Sequence, residues 1–161
     1  MSKKLEVKRK IIIDLDVVTV AKWDKGKNGE VSRKFIIRVA KKVFYLITPT
    51  LLLELVRKWK HKKLRIRIEE FYSKNSDELI DRLQIIEEIV SKRIDFEELF
   101  GSFIEIGIKE EDITLIFVSS LRDALLITFN KVHLKNKEEE INEILSEYGL
   151  RAIKITSPEQ I

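Results

Sequence analysis

The run Ile11-Ile12-Ile13 is apolar without alternation and stops at Asp14. A strand wetted on one face alternates polar and apolar residues. A strand with no polar position is covered on both faces, as in a parallel sheet. Parallel neighbours need a crossover between them, ordinarily a helix.

The chain carries the matching helical patterns. After a loop at Lys25-Gly26-Lys27-Asn28-Gly29, residues Val31, Phe35, Ile36, Val39, Ala40 and Val43 recur at helical spacing, with Lys and Arg opposite. Phe44 to Ile47 reads as a short strand. Thr48-Pro49 reads as a helix start, Thr as the N-cap and Pro at the first helical position. Leu51, Leu52, Leu55, Val56 and Trp59 carry that helix's apolar face. Leu64, Ile68, Phe71 and Tyr72 suggest another helix, although Leu64 to Ile68 also alternates like a strand. Ser76-Asp77 reads as the cap of an amphipathic helix reaching about Lys92, built on Leu79, Ile80, Leu83, Ile86, Ile89 and Val90.

Residues 95–107 lean helical and end at Gly107. Glu110-Glu111-Asp112 opens the next helix, where acids suit the N-terminal dipole. Leu125 to Thr128 is a strand. Lys137 to Tyr148 is a helix stopped by Gly149. Arg151 to Thr156 is a last strand, and Ser157-Pro158-Glu159 a final turn. Strands alternating with helices predict one α/β domain over 1–161, a three-layer α/β/α sandwich around a central, mostly parallel sheet.

Composition narrows the chemistry. The absence of cysteine removes disulfides, thiolate catalysis and Cys-ligated zinc. The lead-in, residues 1–10, is charged, and Met1 to Glu6 is too polar for a signal peptide. No apolar stretch approaches the ~18 residues of a membrane span. The expectation is a cytoplasmic protein. A net charge of +4 and a pI of about 9.2 are compatible with a polyanionic partner.

The acids stand at particular places. Asp14 ends the first strand, Glu54 lies one turn into the helix after Thr48-Pro49, and Asp112 starts a later helix. Asn130 follows the strand that ends at Thr128. An acid at a strand end packs poorly and is well placed to hold a cation. Three such stations suggest a magnesium or manganese site, and so phosphodiester chemistry.

Each position also has a plainer reading. Asp14 could cap the following helix. Asp16 could do the same, or support Asp14. Glu54 could pair with Lys58 at the i,i+4 spacing. Asp112 could complement the helix dipole, and Glu111 competes with it as a ligand. Asn130 divides between ligand and turn residue. Thr128 reads as a supporting hydroxyl rather than a ligand. His133 reads as a loop histidine able to meet a phosphate. The run containing Arg57, Lys58, Lys60 and Lys62 could grip a phosphate backbone, or could simply suit a helix C-terminus. Trp23 and Trp59 could stack on bases, although Trp59 lies at core spacing.

Taken in order, these pieces resemble the PIN-domain family, the metal-dependent ribonuclease fold of many prokaryotic toxin nucleases. IIIDLDVVTVA is similar to the family's opening strand, TPTLLLELVRKW to its second station, GIKEEDITLIFVSSL to its third and LLITFNKVHL to its fourth. EINEILSEYGLRAIKITSPEQI is similar to its closing helix, strand and turn. The resemblance covers nearly the whole chain. It implies an endoribonuclease that uses Mg2+ or Mn2+, with Asp14, Glu54 and Asp112 as catalytic metal ligands and Asn130 assisting. Asp16, Thr128 and Glu111 would then support the ligands. The family uses Asp or Asn at the position of Asn130; Asn lowers the site's negative charge. By the same analogy the partners are RNA, a protein antitoxin and a second copy in a homodimer.

Two rival readings remain. Asp14-Leu15-Asp16 after an apolar strand also resembles the opening motif of haloacid-dehalogenase-type phosphatases, with Asp14 as nucleophile and Asp16 as general acid. No later paired-acid motif accompanies it. A non-catalytic PIN-fold module that binds RNA or assembles with other proteins would fit Asn130 and the basic run.

Overall fold

In the computed structural model, which describes residues 7–161, Ile11, Ile12 and Ile13 are fully buried at the centre of the sheet. They form strand β1 (Lys10–Ile13). The first six residues of the charged lead-in, and with them the signal-peptide expectation, lie outside the described residues. β1 pairs in parallel with β2 (Tyr45–Pro49) on one side and β4 (Leu125–Ile127) on the other. β3 (Glu78–Ile80) lies beyond β2, and β5 (Ile155–Thr156) beyond β4, again in parallel. Among the described residues the strand order is β3-β2-β1-β4-β5.

Helices make every crossover. α1 (Leu15–Trp23) and α2 (Lys27–Ala40) join β1 to β2. α3 (Thr50–Arg57) and α4 (Lys62–Asn75) join β2 to β3. α5 (Arg82–Ser91), α6 (Phe96–Glu105) and α7 (Glu110–Arg122) lead to β4, and α8 (Glu138–Glu147) to β5. This is the three-layer α/β/α architecture expected from the apolar runs, with an all-parallel sheet.

The strand order has a consequence for function. The chain builds outward from β1 to β3, then returns to β1's other side for β4 and β5. Crossovers of one hand therefore leave β1 and β4 in opposite directions. A crevice opens outside the carboxyl ends of these two strands, and ligands of open α/β sheets bind there.

Burial supplies the stability. Val17, Val56, Ile68, Tyr72, Phe103, Ile113 and Ile155 are each sealed from solvent. Each such side chain contributes roughly 1.5–3 kcal/mol relative to exposure. Phe117 sits 5.5 Å from Phe96 and 5.7 Å from Phe103, ring centre to ring centre, pinning α7 against α6.

Several boundaries differ from the pattern-based expectations. Thr48 and Pro49 belong to β2, and α3 opens at Thr50 with Pro49 as an N-cap that has no capping side chain. The Thr48 hydroxyl instead meets the Ser76 hydroxyl at 2.6 Å. Ser76-Asp77 does not cap a helix. Asp77 accepts from the Leu46 N–H at 2.9 Å, which locks β3 beside β2. The helix starts at Arg82, capped by Asp81 through the Gln84 N–H at 2.8 Å. With that register, α5 buries Ile85 and Ile89 and leaves Leu83 and Val90 outside.

The segment 62–75 is helical, because Ile68, Phe71, Tyr72 and Asn75 bury one helical face. α2 begins at Lys27, inside the expected loop, and buries Gly29, Ser32, Phe35 and Val39, leaving Val43 beyond its end and exposed. A Cβ on Gly29 would lie 1.9 Å from the Asp24 carbonyl oxygen, so only glycine lets α1 and α2 approach there. The last strand is reduced to Ile155–Thr156. Ahead of it the Asn142 amide takes the ladder's place, bonding both the N–H and the C=O of Ile153 at 2.8 and 3.0 Å.

Candidate functional site

Asp14 follows the last residue of β1, and its N–H continues the ladder to the Ile127 carbonyl at 2.9 Å. Its extended backbone makes it the N-cap of α1, with Oδ1 accepting from the Leu15 N–H at 2.8 Å. The capping alternative is therefore met in part. The second oxygen remains, and Oδ2 accepts from the Thr128 hydroxyl at 2.9 Å. Thr128 follows β4 directly, so one hydrogen bond closes the mouth of the crevice.

Asp16 enters the same cluster. Its Oδ2 accepts from the Phe129 N–H at 3.0 Å and stands 3.3 Å from the Thr128 hydroxyl. The Asn130 N–H donates to that hydroxyl oxygen at 3.0 Å. Thr128 thus ties two carboxylates and the chain after β4 to one atom. A hydroxyl has one proton, so it satisfies one carboxylate at a time. Asp16 Oδ1 is buried and has no hydrogen-bond partner among the described residues.

The electrostatics follow from crowding. Burial pushes the Asp16 carboxyl up to about 7, and the charge on Asp14 adds to it. Asp14 is also raised by burial, against the bonds from Thr128 and Leu15, with Glu111 raising it further. Asp112, buried in the first turn of α7, is pushed up to about 6 by burial, then by Asp14 and Glu111, with Lys109 pulling the other way. Three desolvated carboxyls, two of them raised further by the charge on Asp14, favour a proton or a cation.

The expected residues separate into two groups. Asp14, Asp16, Thr128 and Asp112 converge at the ends of β1 and β4, with Glu111 beside them. Glu54 is exposed on α3 and makes no hydrogen bond to this group among the described residues. Asn130 behaves as the turn residue, its side-chain oxygen accepting from the His133 N–H at 3.0 Å. His133 lies in that turn, partly covered.

The basic run is a corner, not one helix end. Arg57 closes α3 and Lys62 opens α4. Tyr72 was not foreseen. It is fully buried and donates its phenol to the Ile13 carbonyl at 2.7 Å, bracing the backbone just before Asp14. A lone tyrosine at a helical apolar position gives no sequence signal for that role.

A divalent ion fits the donor chemistry. The unpartnered Asp16 oxygen is a buried hard anionic donor next to a second carboxylate. As the side chains stand, no group of three acids or histidines among the described residues is close enough to hold a metal ion by itself. Magnesium is usually held by one or two carboxylates plus waters and substrate phosphate, so the pair Asp14 and Asp16 is enough to begin such a site.

No family model matches the chain, and no curated protein or solved structure matches it. Among the described residues no helix is long and apolar enough to cross a membrane.

Proposed function

We propose that this protein is a divalent-metal-dependent endoribonuclease with Asp14, Asp16 and Asp112 as its acidic site. One observation carries the reading. Two carboxylates that share a single hydroxyl lie at the carboxyl ends of β1 and β4, where the strand order reverses, and one of their oxygens is buried without a partner among the described residues.

A magnesium or manganese ion bound there supplies positive charge for a phosphodiester and lowers the pKa of a bound water. The chain's own residues do the rest. Asp14 and Asp16 would hold the ion, and Asp112 would complete the negative field from α7. Thr128 holds the Asp14 carboxylate, the Phe129 N–H holds that of Asp16, and Tyr72 braces the backbone that carries Asp14. Glu54, from the resemblance to the PIN-domain family, is assigned a supporting role here because it stands exposed. That resemblance, with the net charge of +4, supports RNA as the substrate and a toxin role for the nuclease.

The test is cleavage of a mixed single-stranded and structured RNA pool with manganese, with magnesium and with chelator. Metal-dependent cleavage that disappears in Asp14→Asn is expected. Intact binding with no cleavage under either metal would replace the reading with that of a non-catalytic RNA-binding module.

The phosphatase reading has one observation in its favour: Asp16, at about 7, can donate a proton near neutral pH beside Asp14. Hydrolysis of a phosphomonoester with RNA left intact would select it.

A further inference from the structure

Trp23 is 54% exposed, so an indole stands open to solvent. It is the last residue of α1, the helix that Asp14 caps at its other end. Nine helical residues set the backbone of Trp23 ~13 Å along one rigid rod from that of Asp14.

The indole meets the corner between α3 and α4. Its ring lies 5.0 Å from the His61 ring at 82°, and His61 Nδ1 accepts from the Leu64 N–H at 3.2 Å, which caps α4. An edge-to-face contact covers at most one face of the indole. In the same corner as His61, Lys58, Lys60, Lys62 and Lys63 are exposed, and none of them pairs with a carboxylate among the described residues.

Two of these cations stand in the wrong place for helix stability. Lys62 and Lys63 occupy the first turn of α4, which holds no acid. A helix N-terminus carries positive partial charge, so lysines there repel it. With Lys58 and Lys60 beside them they form a cationic corner that a polyanion stabilises. An aromatic face among them adds stacking, which binds unpaired bases. Duplex RNA buries its base faces and offers nothing to an indole.

We infer that Trp23, with the lysine corner, is a stacking platform that selects single-stranded RNA and delivers it to the Asp14–Asp16 site. The inference rests on the nuclease reading for the destination of the strand, not for the binding. The cations track the backbone, one base stacks on Trp23, and α1 sets how many nucleotides separate that base from the cut.

The experiment measures binding of a fluorophore-labelled single-stranded RNA, and of a blunt duplex of the same length, by anisotropy in chelator. Wild type, Trp23→Ala, Trp23→Phe and Asp14→Asn are compared. Trp23→Ala is expected to weaken single-strand binding roughly 5- to 150-fold. Trp23→Phe should recover most of the loss, and duplex binding should stay unchanged. Because Trp23 is exposed, Trp23→Ala should keep its thermal midpoint. Equal loss on both RNAs, no loss on either, or no single-strand binding by wild type would overturn the platform. Binding that depends on Trp23 without metal-dependent cleavage would keep the platform and overturn the nuclease reading. Cleavage that persists with unaltered affinity in Trp23→Ala would do the reverse.

Discussion

The Thr128 hydroxyl lies 2.9 Å from Asp14 Oδ2 and 3.3 Å from Asp16 Oδ2, so one proton is shared between two carboxylates from the other side of the crevice. The same oxygen accepts from the Asn130 N–H. Thr128→Val keeps the shape and removes the hydroxyl. Leaving the Asn130 N–H and the carboxylates without it should cost about 1–3 kcal/mol of stability. Both aspartates should also ionise at higher pH, because the lost bond favoured their charged forms. The acid limb of the cleavage profile should move upward. Thr128→Ser should restore both stability and profile. A normal profile in Thr128→Val would show that the hydroxyl is only a packing element.

Stability should depend on pH in an unusual sense. The Asp16 carboxyl rises from 3.8 when unfolded to about 7 when folded. Between these values the folded protein binds more protons than the unfolded chain, so its stability falls as pH rises through the window. Without metal, the wild type should therefore lose thermal midpoint relative to Asp16→Asn between about pH 4 and 7. Manganese should stabilise the wild type more at pH 8 than at pH 5, because ligands must lose their protons to bind it. Parallel melts of both proteins with and without manganese check this. A wild-type midpoint that tracks the mutant's at every pH would place Asp16 in an ordinary solvated setting.

The acidic residues should rank by contact rather than by motif. Asp14→Asn and Asp16→Asn should each reduce cleavage by more than about 100-fold. Neither should lower the thermal midpoint at pH 8, because each relieves repulsion and Asn can still cap α1. Glu54→Gln should cost no more than about 10-fold, as expected of a supporting residue. Single-turnover rates on one RNA measure all three. A Glu54→Gln loss as large as that of Asp14→Asn would put Glu54 in contact with the metal, and would mean that α3 moves when the metal binds.

How far the sequence carries the fold depends on what decides each element. The unbroken apolar run of β1 and the acid at its end were legible, because a strand covered on both faces admits no polar residue. So were α6 and α8 with their endings, since Gly107 and Gly149 hold the positive φ that ends a helix, and so was the start of α7, whose end at the left-handed Asp123 carries no glycine signal. β3 was not. Asp77 and Ser76 are good caps by type, but here they serve the N–H of Leu46 and the hydroxyl of Thr48, some thirty residues back. The same holds at the site. Asp14 was visible as a strand-end acid. Asp16 gained its weight only from contacts across the crevice, with the Phe129 N–H and the Thr128 hydroxyl, and Glu54 lost its weight because α3 turns it to solvent. Pairings between distant segments leave no local period to read.

Tyr72 tests whether the backbone under Asp14 matters. Its phenol is sealed from solvent and donates to the Ile13 carbonyl at 2.7 Å. Burial pushes that phenol well above its ordinary value, and the charges on Asp14 and Asp16 push it the same way, so it stays a neutral donor at any working pH. Tyr72→Phe keeps the ring against Phe71, whose centre is 5.2 Å away, and removes the bond alone. Leaving a buried carbonyl unpaired should cost about 1–3 kcal/mol. If the bond also fixes where Asp14 stands, manganese affinity should fall by about 10-fold, as for partners that orient a ligand. Thermal melts give the first number and metal titration the second. Lost stability with unchanged manganese affinity would make Tyr72 a core residue, and would leave the orientation of Asp14 to Thr128 alone.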